Sequence, residues 1–447
     1  MKKEDFDRNA EIWRNLFDID DKTINALYAD IVKRGLPFNK KLGLTIQPWF
    51  VSLVSIYERY FAHGCNKPYN NDGDDFVFVT CPDPIHRVKT LPLVAKDFKY
   101  TKFFLPSTTR PTVVKHYYNY YKKKGNEKFV LGVFSNEDIR KYRFFLHEKK
   151  TILKSIKCDN EEDTSALRYY IMRYALYDIY AKRVFAGTTS NSLWLFEHDK
   201  FFFIPVINEF RKKNVLTVQM QHGTFFNPHT DVYIPLYTDK IFCCSEREKS
   251  LYKEGGVDGK DIYVTGAPLQ TIGSSKLDVE KKYDVVVLLT ETDTSALSLQ
   301  QKALKYLGDN YADKKILLRF RPRSKERDKL KLAGYTFGFD ISESTSLMED
   351  ICSAHKVLSF SEDATFEVIR AGRQFVCLVE PSRLYGHYLD GVCYTVDQLE
   401  VCIKKLIEED TYDIKEKYLF IYGETEIEAI RQNFKNAILE IKSCQTV

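Results

Sequence analysis

The segment VQMQHGTFFNPHTD, residues 218–231, places two histidines and a glycine directly after a short apolar run. A histidine at a strand end can act as a general base on a hydroxyl group or donate a hydrogen bond to a phosphate. Gly223 would let a ligand approach the backbone closely. A tight turn that holds a structural histidine is the alternative. The pattern favours a site with His222 as its reacting or binding group, beside Thr224 and His229.

Two arginines follow a second apolar run, in the sequence ILLRFRPR. Alternation along a strand puts Arg319 and Arg321 on one side, and Pro322 ends the strand. The planar guanidinium group forms paired hydrogen bonds to phosphate oxygens. A solvated basic loop is the alternative, because the residues that follow are charged throughout. We interpret both arginines as candidate phosphate-binding residues, with Arg321 ahead of Arg319.

The sequence SFSEDATFE, residues 359–367, joins an apolar run to a predicted helix. Hydroxyl groups and backbone N–H groups at such a helix start can bind an anion, which makes Ser359 and Ser361 candidates for phosphate contact. Ser361 or Asp363 could instead, or at the same time, serve as the N-cap. Glu367 lies one turn into the helix, where it could accept hydrogen bonds from ribose hydroxyls or only complement the helix dipole.

These candidates stand at the boundaries of predicted elements. Apolar spacing predicts helices over most of residues 4–62 and 137–182, and strands over 75–84, 103–106 and 128–135. From about residue 183, apolar strands alternate regularly with helices. The first of these strands is predicted at the start of RVFAGTTSNS, residues 183–192, where it runs into a Gly-Thr-Thr-Ser turn at 187–190. Thr188 and Ser190 would then follow its carboxyl end and could line an acceptor site.

Continuous apolar strands that alternate with helices are typical of parallel sheets covered on both faces. A polar stretch at 269–283 separates two such series and indicates a linker. The sequence therefore predicts an α/β fold of two Rossmann-like doubly wound domains that face a cleft, with a helical N-terminal elaboration. The predicted divisions are an N-terminal domain at 1–268, a C-terminal domain at 284–425 and a closing helix at 426–447. Ligands of such sheets bind outside the carboxyl ends of the strands, where the candidate residues lie.

The length and charge of the chain narrow the class of protein. Its 447 residues are 44% hydrophobic, which favours two or three domains with sizeable cores. The net charge of +5, from 67 basic and 62 acidic residues, is far below the excess of a dedicated nucleic-acid binder. We expect no nucleic-acid partner. The mild charge fits an anionic small-molecule substrate, or weak contact with an acidic membrane surface.

The ten cysteines include no CxxC pair, which favours reduced and buried thiols in a cytoplasmic protein. The N-terminal sequence lacks an apolar signal segment, and no window offers about 18 apolar residues for a transmembrane helix. We expect a cytoplasmic location, with at most peripheral contact at the inner face of the plasma membrane. The acidic run NNDGDD, residues 70–75, lacks the spacing of an EF-hand, and no metal site is expected.

Residues 215–380 resemble the two-domain GT-B glycosyltransferases of bacterial surface polysaccharide synthesis, which build capsule, lipopolysaccharide and teichoic-acid-type polymers. The resemblance rests on the QHG strand end, the VTGAP strand end, the Arg-Pro element and SFSEDATFEVIRAGRQFVCL. In related capsule and teichoic-acid polymerases an HGT element supplies the proposed catalytic base, and an RxHP-like element binds the donor phosphates. This chain has RPR where the His-Pro would stand. The resemblance implies that His222 is the base and that Arg319 and Arg321 bind phosphate, while Ser359 and Ser361 match phosphate-binding serines of similar sialyltransferases.

The resemblance implies an enzyme that moves a sugar from a nucleotide-activated donor to a glycan or lipid-linked saccharide, without a metal or another cofactor. A CMP-, CDP- or UDP-linked donor would lie against the C-terminal domain. The nucleobase of the donor would lie near residues 290–294 and 340–346, and Thr290 and Glu367 would contact the nucleoside. The acceptor would enter from the N-terminal domain, beside Gly223, Thr224 and His229.

Three other readings stay open from the sequence. A CDP-polyol phosphotransferase of the same fold would move glycerol or ribitol phosphate and differ only in the bond that breaks. A non-catalytic scaffold of an export complex would keep the GT-B shell. A nucleotide-sugar epimerase would need carboxylates in the cleft, which Glu291 and Asp293 could supply.

Overall fold

The computed structural model of the 447-residue chain describes two parallel sheets and the helices that cover them. The described residues are 1–33, 46–49, 51–52, 54–56, 69, 73–80, 91–106, 128–189, 192–197, 201–221, 236–266, 279–290, 294–321, 325–360, 365–379, 393–409, 419, 423–424 and 426–445.

The strands are, in chain order, β1 Phe76–Thr80, β2 Tyr100–Phe104, β3 Phe129–Leu131, β4 Leu193–Glu197, β5 Leu216–Met220, β6 Lys240–Cys243, β7 Ile262–Val264, β8 Tyr283–Leu288, β9 Ile316–Arg319, β10 Asp340–Ile341, β11 Ala354–Ser359, β12 Gln374–Val379 and β13 Cys393–Thr395. The helices are α1 Lys3–Phe17, α2 Asp21–Tyr28, α3 Leu91–Val94, α4 Asn136–Glu148, α5 Lys150–Ser155, α6 Glu161–Val184, α7 Phe203–Arg211, α8 Glu246–Glu254, α9 Thr294–Asn310, α10 Lys325–Leu332, α11 Leu347–Cys352, α12 Thr365–Arg370, α13 Leu399–Glu408 and α14 Ile427–Gln445.

Both sheets have the strand order of a dinucleotide-binding fold. Within the described residues the first sheet runs β3-β2-β1-β4-β5-β6-β7, and the second runs β10-β9-β8-β11-β12-β13. Every pairing is parallel. The order reverses direction between β1 and β4 in the first sheet and between β8 and β11 in the second. Each reversal is a topological switch point, and the crevice outside the carboxyl ends of the strands there is the usual ligand site.

An aromatic core covers one face of the first sheet. Trp13 of α1, Tyr174 of α6 and Trp194 of β4 are fully buried in it, together with residues of α2 and α7. Trp13 and Tyr174 meet edge to face at 5.5 Å between ring centroids, the geometry that aromatic quadrupoles favour. The helices of residues 1–33 and 136–184 therefore form the predicted helical elaboration, and they belong to the core of the N-terminal domain.

The strand predicted from residue 183 to the turn at 187–190 is wrong. Residues 161–184 form one helix of 24 residues, and the strand is Leu193–Glu197. Arg183, in the last turn of this helix, donates two hydrogen bonds of 2.7 and 2.6 Å to the carboxylate of Asp138. Asp138 lies in the first turn of α4. Thr188 thus lies on the connection that enters the amino end of β4, at the opposite edge from the strands' carboxyl ends. This position removes the basis for its predicted acceptor-side role, and Ser190 lies outside the described residues.

Helices also cover the other three sheet faces. On the first sheet, the far face packs against α3 and against α14, which buries Ile430, Phe434 and Ile438 beside Phe76 and Phe78. The Lys442 ammonium of α14 contacts the Asp75 carboxylate at 2.6 Å. The closing helix predicted at the end of the chain therefore returns from the second sheet to pack on the first.

The second sheet carries separate cores on its two faces. One contains α9 and α13, and the other contains α11 and α12. Cys244, which follows β6 of the first sheet, and Leu251 of α8 pack into the latter core and so connect it to the first sheet. The predicted fold class of two Rossmann-like doubly wound units is confirmed. The domain boundaries stay a prediction, since residues 267–278 lie outside the described part of the chain.

Candidate functional site

The carboxyl edge of the second sheet gathers most of the described candidates. Thr290 follows β8, Arg319 and Arg321 lie at the end of β9, and Ser359 ends β11. Ser359 pairs in register with Leu288 across the switch point. These residues come from parts of the chain as far as 69 positions apart, and parallel strand pairing brings them to one edge.

Arg319 is held by groups of its own domain. Arg319 is 8% exposed, and its Nη1 pairs with the Asp350 carboxylate of α11. The same nitrogen donates to the carbonyl oxygens of Ser344 and Ser346, both at 3.2 Å. Ser342 Oγ donates to Asp350 at 2.6 Å. Arg319 thus fixes the loop 342–346 after β10, where the sequence places the nucleobase, and this contact weighs against direct phosphate binding.

Arg321 lies two residues beyond Arg319 and is half-buried at the sheet edge. Phe320 between them is buried in the core on the α9 side. Because β9 ends at Arg319, Arg321 belongs to the loop that leaves the edge. Of the two predicted phosphate binders, Arg321 has the position that a ligand outside the edge could reach.

The end of β8 is fixed by a buried amide. The Thr290 N–H donates to Gln300 Oε1 at 3.1 Å, and both side chains are buried. Gln300 lies on α9, the helix that follows this strand. The hydrogen bond therefore sets the path of the chain where it leaves the switch point.

Replacing Gln300 with leucine should lower the free energy of unfolding by about 1–3 kcal/mol, since it leaves the Thr290 N–H buried without this acceptor. Urea unfolding followed by circular dichroism measures the change. Gln301→Leu is the matched control, because Gln301 makes an exposed hydrogen bond of 3.5 Å to the Lys331 carbonyl. Equal unfolding curves for the two variants would contradict the assigned role of Gln300.

Two other predicted residues border the switch point. Ser359 is the buried last residue of β11, and Glu367 is half-buried in the first turn of α12. Ser361 lies outside the described residues. The predicted contacts of Ser359 with phosphate and of Glu367 with ribose stay predictions.

The first sheet presents Gln221 at the end of β5, directly before His222. Gln221 is buried, and its N–H donates to the Phe242 carbonyl at 2.9 Å. Its Nε2 donates to Glu248 Oε1 at 2.7 Å, and Glu248 Oε2 accepts the Cys244 N–H at 2.8 Å. Backbone and side-chain hydrogen bonds therefore hold Gln221, the residue before His222, against the end of β6 and the start of α8. His222, Gly223, Thr224 and His229 lie outside the described residues.

Glu248 is a residue that the sequence reasoning missed. It is fully buried on α8, and its N–H donates to the Ser245 side chain at 3.2 Å. Ser245 and Glu248 have the S-x-x-E spacing of a capping box, which was the available signal. Its carboxylate, however, accepts from Cys244 and from Gln221 on the neighbouring strand, and spacing alone does not reveal that contact.

A second missed carboxylate lies at the switch point of the first sheet. Glu197 ends β4, is buried, and accepts a hydrogen bond from the Thr80 hydroxyl at the end of β1. An acidic residue directly after the apolar sequence LWLF was the signal for it. Both sheets thus bury polar groups where their strand order reverses.

The cysteines have the buried character that the sequence predicts. Seven cysteines whose side chains the structure describes form no disulfide, and five of them are buried. Burial raises the pKa of the Cys243 and Cys244 thiols well above the usual value, so both stay protonated and unreactive. Among the described residues no group of three His, Cys, Asp or Glu side chains could hold a metal ion. No helix in that part of the chain is long and apolar enough to cross a membrane.

The architecture matches solved structures over most of the chain. UDP-N-acetylglucosamine 2-epimerase from Rickettsia bellii is 12% identical with a TM-score of 0.51, over 82% of this chain and 96% of that chain. The α,α-trehalose 6-phosphate synthase from Burkholderia multivorans is 10% identical with a TM-score of 0.50, over 83% and 98%. The N-terminal domain of the Candida albicans trehalose-6-phosphate phosphatase gives 10% and 0.50, over 83% and 98%.

The chain has the GT-B fold, which nucleotide-sugar glycosyltransferases and epimerases share. No protein-family profile matches the sequence. A sequence comparison with curated proteins finds no significant match. At these identities the likeness concerns the fold alone, and the named neighbours differ in their reactions. The reaction must therefore be argued from the residues at the sheet edges.

Proposed function

We propose that this protein is a glycosyltransferase that moves a sugar from a nucleotide-activated donor to a glycan or lipid-linked saccharide during surface polysaccharide synthesis. The observation that carries the proposal is the convergence of Thr290, Arg321 and Ser359 on the carboxyl edge of the second sheet, at its switch point. A nucleotide with its phosphates suits such an edge, because hydroxyl groups and a guanidinium group can bind phosphate oxygens.

The proposed roles divide between the two sheets. Arg321, with Ser359 and Ser361, would bind the donor phosphates, and Glu367 and Thr290 would bind the nucleoside. The loop 342–346, held in place by Arg319, would border the nucleobase. His222 would face the acceptor, beside Gly223, Thr224 and His229. The arginine would balance the charge of the leaving nucleotide, so we expect no requirement for a divalent metal.

The transfer step involves one proton and two bonds. His222 would take the proton of an acceptor hydroxyl as that oxygen forms a bond to the anomeric carbon of the donor sugar. The bond between this carbon and the phosphate oxygen breaks, and the nucleotide leaves with the electron pair. Arg321 would stabilise the negative charge that develops on the phosphate. In the alternative CDP-polyol phosphotransferase, the acceptor oxygen would instead attack phosphorus.

An epimerase is the second candidate, since the fold also matches a UDP-N-acetylglucosamine 2-epimerase. That reaction would need carboxylates near the sugar. Glu291 and Asp293 lie outside the described residues, and Glu197 is buried against Thr80. An epimerase would keep the bond between sugar and nucleotide at the end of its reaction. Chromatography of the donor after incubation with protein and acceptor therefore distinguishes the candidates: a transferase releases free nucleotide, and an epimerase yields an isomeric nucleotide sugar.

Thermal-shift binding tests the proposal. The ligands are CMP-, CDP-, UDP-, GDP- and dTDP-linked compounds, each with and without EDTA. A ligand at about 100 times its Kd stabilises the native state by about 2.7 kcal/mol and raises Tm by several degrees. We expect one pyrimidine nucleotide class to raise Tm, equally with EDTA present.

The variant Arg321→Ala should lose this Tm shift, because it removes the proposed phosphate contact. Arg140→Ala is the matched control, since Arg140 is an exposed arginine of α4 in the other half of the chain. A native protein that no nucleotide stabilises would contradict the proposal and favour the scaffold reading. A shift that survives in Arg321→Ala would contradict the assigned phosphate contact.

A further inference from the structure

The helix α4 exposes a basic face with one large aromatic side chain. Phe144 is 66% exposed, and Arg140 and His147 are exposed one turn away on either side of it. Arg143 is also exposed and lies one turn from Arg140. On α4 and α5 the exposed cations are Arg140, Lys141, Arg143, Lys150 and Lys154, and the exposed acids are Glu137, which pairs with Lys141, and Glu148. The surface of α4 and α5 therefore carries a local positive excess that the near-balanced whole chain does not have.

A second helical segment adds apolar groups to this surface. Residues 48–49, 51–52 and 54–56 are helical, and in that segment Trp49 is 55% and Ile56 is 57% exposed. Ser52 lies one turn from each of them, and its Oγ accepts a hydrogen bond of 3.5 Å from Arg143 Nη2. Trp49, Ile56 and Phe144 are therefore brought to one side of the molecule, next to Arg143. We call Trp49, Ile56, Arg140, Arg143 and Phe144 the basic aromatic face.

The composition of the basic aromatic face suits a lipid surface. Tryptophan and phenylalanine insert at the level of the lipid headgroups, where an apolar ring meets a polar layer. Arginines between them are attracted to anionic headgroups and keep their charge in the wet layer. The apolar side chains are separated by cations, an arrangement that matches shallow insertion better than a continuous apolar protein contact.

We propose that the basic aromatic face docks the protein on an anionic lipid bilayer. The inference rests on the lipid-linked acceptor of the proposed function, and names the surface that would bring the protein to it. The helix α4 begins four residues after β3, at the carboxyl edge of the first sheet. That edge also carries Gln221, the residue before His222. Docking by this face would bring a lipid-linked acceptor near the proposed acceptor side.

Sedimentation with vesicles tests the docking. The vesicles are phosphatidylcholine alone, or an equimolar mixture of phosphatidylcholine and phosphatidylglycerol. We expect the native protein to bind the anionic vesicles and to stay in solution with the neutral ones. The variants W49A/F144A and R140E/R143E should each weaken binding by about tenfold or more. The matched control is L330A/V401A, which removes two apolar side chains, 80% and 65% exposed, from the other half of the chain.

Tryptophan fluorescence gives an independent readout in the native fold. The chain has three tryptophans, and Trp13 and Trp194 are fully buried, so that a change on adding vesicles reports on Trp49. We expect a blue shift with anionic vesicles only, and its loss in Trp49→Phe. Circular dichroism checks that each variant is folded. Native protein that does not bind anionic vesicles, that binds neutral ones equally, or that keeps its emission unchanged would overturn the proposal.

The vesicle test can fail independently of the proposed function. It needs no nucleotide, and the nucleotide thermal shift needs no vesicle. If R140E/R143E loses vesicle binding but keeps the nucleotide-induced Tm shift, the basic aromatic face serves lipid docking and not nucleotide binding. If the protein binds anionic vesicles but no nucleotide stabilises it, lipid docking by the basic aromatic face is supported and the proposed glycosyltransferase function is contradicted.

Discussion

Replacing Asp350 with alanine should lower the free energy of unfolding by about 3–5 kcal/mol, the usual effect of breaking a buried ion pair. Arg319 and Asp350 are 8% and 5% exposed. The variant leaves a buried guanidinium without its carboxylate, and Ser342 loses its acceptor. Urea unfolding monitored by circular dichroism measures the loss. Asp350→Asn keeps an acceptor for Ser342 but not the charge, and we expect an intermediate effect.

The exposed pair of Asp309 and Lys305 provides the matched control. Their carboxylate and ammonium lie 2.8 Å apart on α9, so Asp309→Ala removes an ion pair of the same helix-rich half of the chain. Solvent screens such pairs, and we expect little measurable change. If Asp350→Ala were as stable as Asp309→Ala, the ion pair with Asp350 would not be what holds Arg319 in its buried position. The predicted role of Arg319 in phosphate binding would then regain support.

The sequence was most informative where burial is continuous along the chain. Apolar runs such as YDVVVLL and KVLS predicted the strands β8 and β11 correctly. A strand that is buried on both faces has a continuous apolar sequence instead of alternating polar and apolar residues. The same rule failed at RVFAG, where an apolar run closes a helix. The deciding contact there is the pair of Arg183 and Asp138, 45 positions apart, and local patterns do not contain that information.

The sequence predicted where the candidate residues lie, but only some of the side-chain contacts between them. The carboxyl-end rule identified the edge with Thr290, Arg321 and Ser359. Alternation placed Arg319 and Arg321 on one side and made both candidates for phosphate binding, whereas in the structure Arg319 pairs with Asp350. The buried carboxylates that organise these edges are side chains of other elements. Their partners follow from the packing of helices on strands, and neither spacing nor residue type specifies it.

Replacing His222 with alanine should lower the rate of sugar transfer at least a hundredfold, the scale of losing a general acid–base group. The buried contact of Gln221 with Glu248 fixes the chain up to this histidine at the carboxyl edge of the first sheet. The proposed function needs this histidine within hydrogen-bond reach of the acceptor hydroxyl, as every general base must be. The measurement is the initial rate of nucleotide release from the donor that the thermal-shift panel identifies, with acceptor present.

Two controls separate the role of His222 as a base from a role in binding or folding. His222→Ala should keep the nucleotide thermal shift, because the donor phosphates are assigned to the second sheet. His355→Ala, which removes an exposed histidine from β11, should leave the rate unchanged. The native rate should also fall at acidic pH, where a protonated imidazole cannot accept the hydroxyl proton, and the residual rate of His222→Ala should lack this dependence. A loss below tenfold, or a variant that keeps the native pH profile, would assign the base to another residue and leave the QHGT segment a structural turn.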